Sequence, residues 1–130
     1  MKKHILFIDD DEDELKIFTE VLKETGLDYK CTWAKNGQQA LGQLLYLQPD
    51  IIFLDIHMPG MDGFECLTAI KGMQKVAAIP VVLYSTDLHA ANQTKGMELG
   101  ATACISKAND IHYTAEIIQH ILEAEVIHHS

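Results

Sequence analysis

Asp9, Asp10, Asp55, Ser85 and Lys107 share one kind of neighbourhood, because each ends or closely follows a short apolar run. Ile5–Ile8 precedes the acidic pair, Ile51–Leu54 precedes Asp55, Pro80-Val81-Val82-Leu83-Tyr84 precedes Ser85, and Thr102–Ile105 shortly precedes Lys107. Together they offer three carboxylates, one hydroxyl and one ammonium. Mg2+ prefers hard oxygen donors of this kind, keeps several waters, and is held by one or two carboxylates together with a phosphate. Asp10 and Asp55 are candidate direct ligands, with Asp9 a ligand directly or through water. A backbone carbonyl from the Asp55–Met58 loop is a third candidate. Lys107 can neutralise the same cluster without a metal. A carboxylate can also attack phosphorus and form an acyl phosphate. There an anion attacks an anion, so Mg2+ and Lys107 would be needed to stabilise the equatorial oxygens. Ser85 can then donate to a phosphoryl oxygen, a new bond able to pull the following loop inward.

These side chains meet only if the apolar runs are strands of one sheet. Ile51–Leu54 shows no alternation, as a strand covered on both faces would not. Pro59 and Gly60 then rule out continued strand or immediate helix, so Asp55 stands at a strand's carboxyl end. Ligands bind at that end in open α/β sheets. Between the runs, apolar residues recur at helical spacing. Leu15, Phe18, Leu22 and Thr25 mark a first helix stopped by Gly26. Ala40, Leu41, Leu44, Leu45 and Leu47 mark a second, ending before Pro49. Asp62 is placed to cap a third, with Phe64, Leu67, Ile70 and Met73 as its apolar positions. A poorly amphipathic fourth helix spans roughly 88–99, and a fifth runs from about 110 to 127 with Ile111, Ala115, Ile118, Leu122 and Val126 as its core stripe. Tyr29–Ala34 alternates, as expected of an edge strand with one wet face. The pattern is βα five times, which predicts an α/β fold with a parallel five-stranded, doubly wound sheet.

Composition narrows the function. The chain has 130 residues, suited to a single domain over 1–130 with one core. Its formal net charge is −9 and its ten basic residues are scattered lysines, so it lacks the footprint of a nucleic-acid binder or of a protein drawn to anionic membranes. No apolar run is long enough for a membrane span, and the start of the chain does not resemble a signal peptide, so a cytoplasmic location is expected. Cys31, Cys66 and Cys104 are odd in number and widely spaced, as expected of buried free thiols. Glu12, Asp13 and Glu14 are explained by a helix start whose dipole favours acids. Asp9 and Asp10 are not, since they abut a buried strand end. Trp33 is read as packing on the second strand.

The residues that carry chemistry also carry a resemblance. The acidic pair Asp9-Asp10, the segment Asp55-x-x-Met58-Pro59-x-x-Asp62-Gly63, Ser85 after its apolar run, and Lys107 resemble the receiver domain of two-component response regulators, the CheY-like superfamily, in its stand-alone form. The resemblance spans essentially the whole chain. It implies a flavodoxin-like fold with strand order 2-1-3-4-5. It implies Asp55 as phosphoacceptor from a histidine kinase or phosphotransfer protein, with Ser85 and Lys107 completing the catalytic set. It implies Mg2+ on Asp10, Asp55 and the His57 carbonyl, beside Asp9. The module would act as no enzyme beyond its own phosphorylation and dephosphorylation. Its output would pass through a protein partner on the helix 4, strand 5 and helix 5 face, where Ile117 and Ile121 exceed the needs of the core and suit a partner or a homodimer.

Three positions depart from the family pattern. Cys104 stands where the switch aromatic is usual, leaving Tyr84 or Tyr113 as substitutes. Ala108 follows Lys107 in place of proline, so the peptide is expected trans. Ser85 replaces the commoner threonine and keeps the hydroxyl. His57 and Asp87 flank the site at positions that tune loss of phosphate in the family, and are expected to set the lifetime of an acyl phosphate here. The alternative is a pseudo-receiver that binds partners without phosphorylation. A phosphatase of the dehalogenase type is disfavoured, because the first strand is followed by Asp9-Asp10-Asp11-Glu12-Asp13 without the threonine of D-x-D-x-T.

Overall fold

The computed structural model describes residues 3–128, with side chains over 3–124. Five strands and five helices alternate: β1 Lys3–Ile8, α1 Glu12–Glu24, β2 Tyr29–Ala34, α2 Gly37–Gln43, β3 Ile51–Leu54, α3 Gly63–Lys71, β4 Val81–Ser85, α4 Ala90–Glu98, β5 Ala103–Ser106 and α5 Ile111–His128. The strands form one parallel sheet in the order β2-β1-β3-β4-β5. The α/β, flavodoxin-like architecture and its strand order are therefore as the sequence led us to expect, and β2 is an edge strand.

Alternate side chains of each strand go to opposite faces. Leu6, Ile8, Ile52, Leu54, Val81 and Leu83 pack with Ala40, Leu44, Phe64, Leu67 and Ile70 under α2 and α3. Ile5, Phe7, Ile51, Phe53, Val82, Tyr84 and Ile105 pack with Phe18, Val21, Ala115, Ile118 and Leu122 under α1 and α5. Both faces are thus covered, which is why the central strands read as unbroken apolar runs. On the second face four aromatic rings meet: Phe7 stacks on Phe18 at 4.3 Å, and Phe53 and Tyr84 close around them.

Helix ends follow local chemistry. Asp62 caps α3 through a reciprocal box, its Oδ1 accepting the Glu65 N–H at 2.9 Å while Glu65 Oε1 accepts the Asp62 N–H at 3.1 Å. Gly26 takes a φ of +69° just after α1, a conformation that favours glycine. α4 buries only Gly96, in keeping with the poorly amphipathic helix expected there.

Four expectations need correction. α2 stops at Gln43, so Leu45 and Leu47 lie beyond it and Leu45 is exposed rather than part of a core stripe. Ile111 at the start of α5 is exposed, while Ala115, Ile118 and Leu122 are buried; the Val126 side chain lies outside the described residues. Ile117 and Ile121 are partly buried against the α1/α5 core, which accounts for some of their apolar surface. Only Cys66 of the three thiols is fully buried, and burial pushes it up to about 12, so it stays protonated; Cys31 and Cys104 are half-buried and also free. The Lys107–Ala108 peptide is trans as expected. No described helix is long and apolar enough to cross a membrane.

Candidate functional site

Parallel register brings the strand ends level. Ile8 pairs with both Ala34 and Leu54, and Ser85 pairs with Ser106. The ladder then continues one residue into the site. The Asp9 N–H donates to the Ala34 carbonyl at 3.1 Å, the Asp55 N–H to the Ile8 carbonyl at 3.0 Å, and the Lys107 N–H to the Ser85 carbonyl at 3.0 Å. Three chemistry-bearing residues are thus held by backbone bonds to the neighbouring strand.

Their side chains converge. Carboxylate oxygens of Asp9, Asp10 and Asp55 lie within 4.8 Å of one another. The Lys107 ammonium donates to Asp9 Oδ2 at 2.5 Å and stands 3.5 Å from Asp55 Oδ2. Glu14 Oε2 lies 3.8 Å from the same ammonium, a neighbour not recognised beyond its fit to the helix dipole. Asp9 is 1% exposed and Asp55 8%, whereas Asp10 is exposed. Asp9 Oδ1 accepts the Asp11 N–H at 3.0 Å, and Asp55 Oδ1 accepts the Ile56 N–H at 2.8 Å.

The charge balance is negative. Burial pushes the Asp9 carboxyl up, against the Lys107 hydrogen bond. Burial alone would lower the Lys107 ammonium, but its bond to Asp9 and the charges of Asp55, Asp9 and Glu14 outweigh that and hold it above the usual lysine value. Acid and base both rise, the acid through burial and the base through its bond to Asp9 and the carboxylate charges around it. A divalent cation suits this donor set: closely spaced carboxylate oxygens of mixed exposure, opening to water through Asp10. No hydrogen bond among the described residues uses the His57 carbonyl, which leaves it available as a further oxygen donor.

The rim is made by two loops. His57 Nε2 donates to Asp87 Oδ2 at 2.6 Å, and that bond, ahead of other influences, holds the Asp87 carboxyl below the usual range. The bond ties the β3–α3 loop to the β4–α4 loop. Ser85 is 1% exposed, and its Oγ accepts the Asp87 N–H at 3.2 Å rather than bonding to the carboxylate cluster. Tyr84 is buried among Phe7, Phe18 and Phe53, which removes it as a mobile substitute for the absent switch aromatic; Tyr113 is exposed on α5. One further contact went unread: the Trp33 indole N–H donates to the Asp9 carbonyl at 2.8 Å. The available signal was the need of a half-buried indole for an acceptor, with Trp33 paired in register to Phe7.

A doubly wound sheet with an acid cluster and a buried ammonium at its carboxyl edge defines a CheY-like module. Residues 5–121 match the sequence model of the response regulator receiver domain, and the chain belongs to that family. It is 36% identical over 105 residues to a protein-glutamate methylesterase/protein-glutamine glutaminase of Archaeoglobus fulgidus, covering 79% of this chain and 29% of that protein. It is 31% identical over 105 residues to the phosphate regulon transcriptional regulatory protein PhoB of Pseudomonas aeruginosa, covering 81% and 45%. The chain therefore spans less than half the length of these curated relatives. The signal receiver domain of a DNA-binding response regulator from Colwellia psychrerythraea superposes with a TM-score of 0.82 at 30% identity, covering 94% of this chain and 99% of that one.

Proposed function

We propose that this chain is a phosphoacceptor module of a two-component or phosphorelay system, with Asp55 taking the phosphoryl group from a histidine kinase or phosphotransfer protein. The observation that carries this reading is the Asp9–Asp55–Lys107 contact set at the carboxyl edge of the sheet. A carboxylate oxygen of Asp55 attacks phosphorus, the bond from phosphorus to the donor breaks, and the donor leaves with that electron pair. Lys107, 3.5 Å from Asp55, stabilises the charge on the equatorial oxygens. Asp10, Asp55 and the His57 carbonyl would hold Mg2+, with Asp9 beside them. When bound, Mg2+ offsets the repulsion between carboxylate and phosphoryl group. Ser85 Oγ, which accepts the Asp87 N–H, has its own O–H left to hydrogen-bond a phosphoryl oxygen, drawing the β4–α4 loop inward. Output passes to a protein partner, or to a second copy, across α4, β5 and α5, where Met97, Ile111 and Tyr113 are exposed. The module works in the cytoplasm, without nucleic acid or membrane as partner.

Incubation with acetyl phosphate and Mg2+, followed by intact mass, tests this. One phosphoryl group should appear on the peptide carrying Asp55, be removed by hydroxylamine as acyl phosphates are, and fail to form when EDTA removes the metal. No gain in mass would sink the reading and favour the phosphorylation-independent module.

The rim pair carries a related expectation. The His57–Asp87 bond spans the mouth of the site and limits entry of water to the acyl phosphate. Replacing both by alanine should hasten loss of the phosphoryl group, read as the decay of phosphorylated protein after acetyl phosphate is removed. An unchanged decay would overturn this role.

A further inference from the structure

Asp10 is the least supported acid of the cluster. Among the described residues no hydrogen bond or ion pair holds its carboxylate. The point from which it starts is set by its backbone, and that backbone is held on both sides. The peptide before Asp10 contains the Asp9 carbonyl, which accepts the Trp33 indole N–H at 2.8 Å. The peptide after it contains the Asp11 N–H, which donates to Asp9 Oδ1 at 3.0 Å. Peptide groups are planar, so holding both planes restrains φ and ψ of Asp10 and with them the direction of its Cα–Cβ bond, leaving only χ1 and χ2 to bring the carboxylate to the site.

Trp33 is itself well anchored. It pairs in register with Phe7, packs at the margin of the aromatic core, and its carbonyl accepts the Gln43 Nε2–H at 3.2 Å. Packing at this position requires only a large apolar body. It does not require a polar N–H aimed at a main-chain carbonyl inside an acid cluster. We propose that Trp33 is a positioning residue for the divalent cation: its indole N–H holds the Asp9–Asp10 peptide in the plane that aims the Asp10 carboxylate at the shared site. This rests on the reading that Asp10 and Asp55 hold Mg2+.

Mg2+ affinity measured by calorimetry on the folded chain tests it. Trp33→Phe keeps an aromatic ring and drops the donor. Replacing Trp33, the sole tryptophan, by benzothienylalanine keeps the bicyclic shape and drops only the N–H. Each should raise the Kd for Mg2+ about five-fold, the loss expected for one hydrogen bond. Asp10→Asn should weaken binding further. If wild type binds Mg2+, Asp10→Asn loses it, and the benzothienylalanine protein binds as wild type does, Trp33 only packs and the proposal is overturned. If wild type binds no Mg2+, or Asp10→Asn leaves binding unchanged, the reading of the cation site fails first and takes this role with it. The benzothienylalanine protein decides the matter even if Trp33→Phe does not fold.

Discussion

Asp55→Asn should fold as wild type does and take no phosphoryl group from acetyl phosphate under conditions that load wild type fully. Asparagine keeps the shape of the side chain. Its carbonyl oxygen can still accept the Ile56 N–H, now at 2.8 Å from Asp55 Oδ1, while its NH2 replaces the Oδ2 that stands 3.5 Å from Lys107, whose ammonium keeps its bond to Asp9. What it loses is the nucleophile, because an amide oxygen does not displace a leaving group from phosphorus as a carboxylate does. It also loses one of three negative charges gathered around one ammonium. Stability should therefore change by no more than about 1 kcal/mol, toward greater stability, since like charges in a shared site repel. Intact mass and thermal unfolding together check both halves. A phosphoryl group on the same peptide of the asparagine variant would remove Asp55 from its role. A large drop in melting temperature would mean instead that its charge holds the site together.

Gly63→Ala should be the most damaging single methyl group in the chain. Gly63 opens α3, and its N–H donates to the Ile56 carbonyl at 2.7 Å. A Cβ there would collide with the Asp55 carbonyl and the Ile56 Cα, both main-chain atoms with no rotamer to escape by. Either the start of α3 lifts away or the Asp55–Ile56 peptide shifts. The expected loss is about 3 kcal/mol, the upper range for overpacking, with acetyl phosphate labelling falling alongside because the displaced peptide carries the acceptor. Gly42→Ala is the matched control. It lies in α2 with nothing within 4 Å of the added carbon, so it should gain up to about 1 kcal/mol from helix propensity alone. Urea unfolding of the two variants separates the outcomes. Equal stabilities would show that the close approach at Gly63 relaxes freely.

Much of this was legible in the residues. Unbroken apolar runs declared β1, β3 and β4 because a doubly covered strand has no polar face to show. Asp62 declared the start of α3, since a capping acid just before an apolar-periodic run has a local cause. Asp9, Asp10, Asp55 and Lys107 could be assembled on paper once the strands were parallel, because register alone brings their carboxyl ends level. The misread positions depend on geometry at a distance. Leu45 continues the apolar spacing of α2, yet the helix has already ended at Gln43 and the spacing no longer marks a face. Ile111 fits the stripe of α5 but sits at its first turn, beyond the edge of the core. Glu14 reaches Lys107 across more than ninety positions of chain, and Trp33 reaches the Asp9 carbonyl from the edge strand. Neither contact leaves a periodic trace.

The bond between Lys107 and Asp9 joins partners 98 positions apart, from the last strand to the first. A growing polypeptide therefore makes β1 and β3, with their acids, well before the ammonium that balances them exists. Any intermediate with those strands docked and β5 still absent carries unrelieved repulsion at its open edge. Docking of β5 and neutralisation of the pocket are thus coupled, and in a nascent chain that ends before position 107 these acids have not yet met their ammonium.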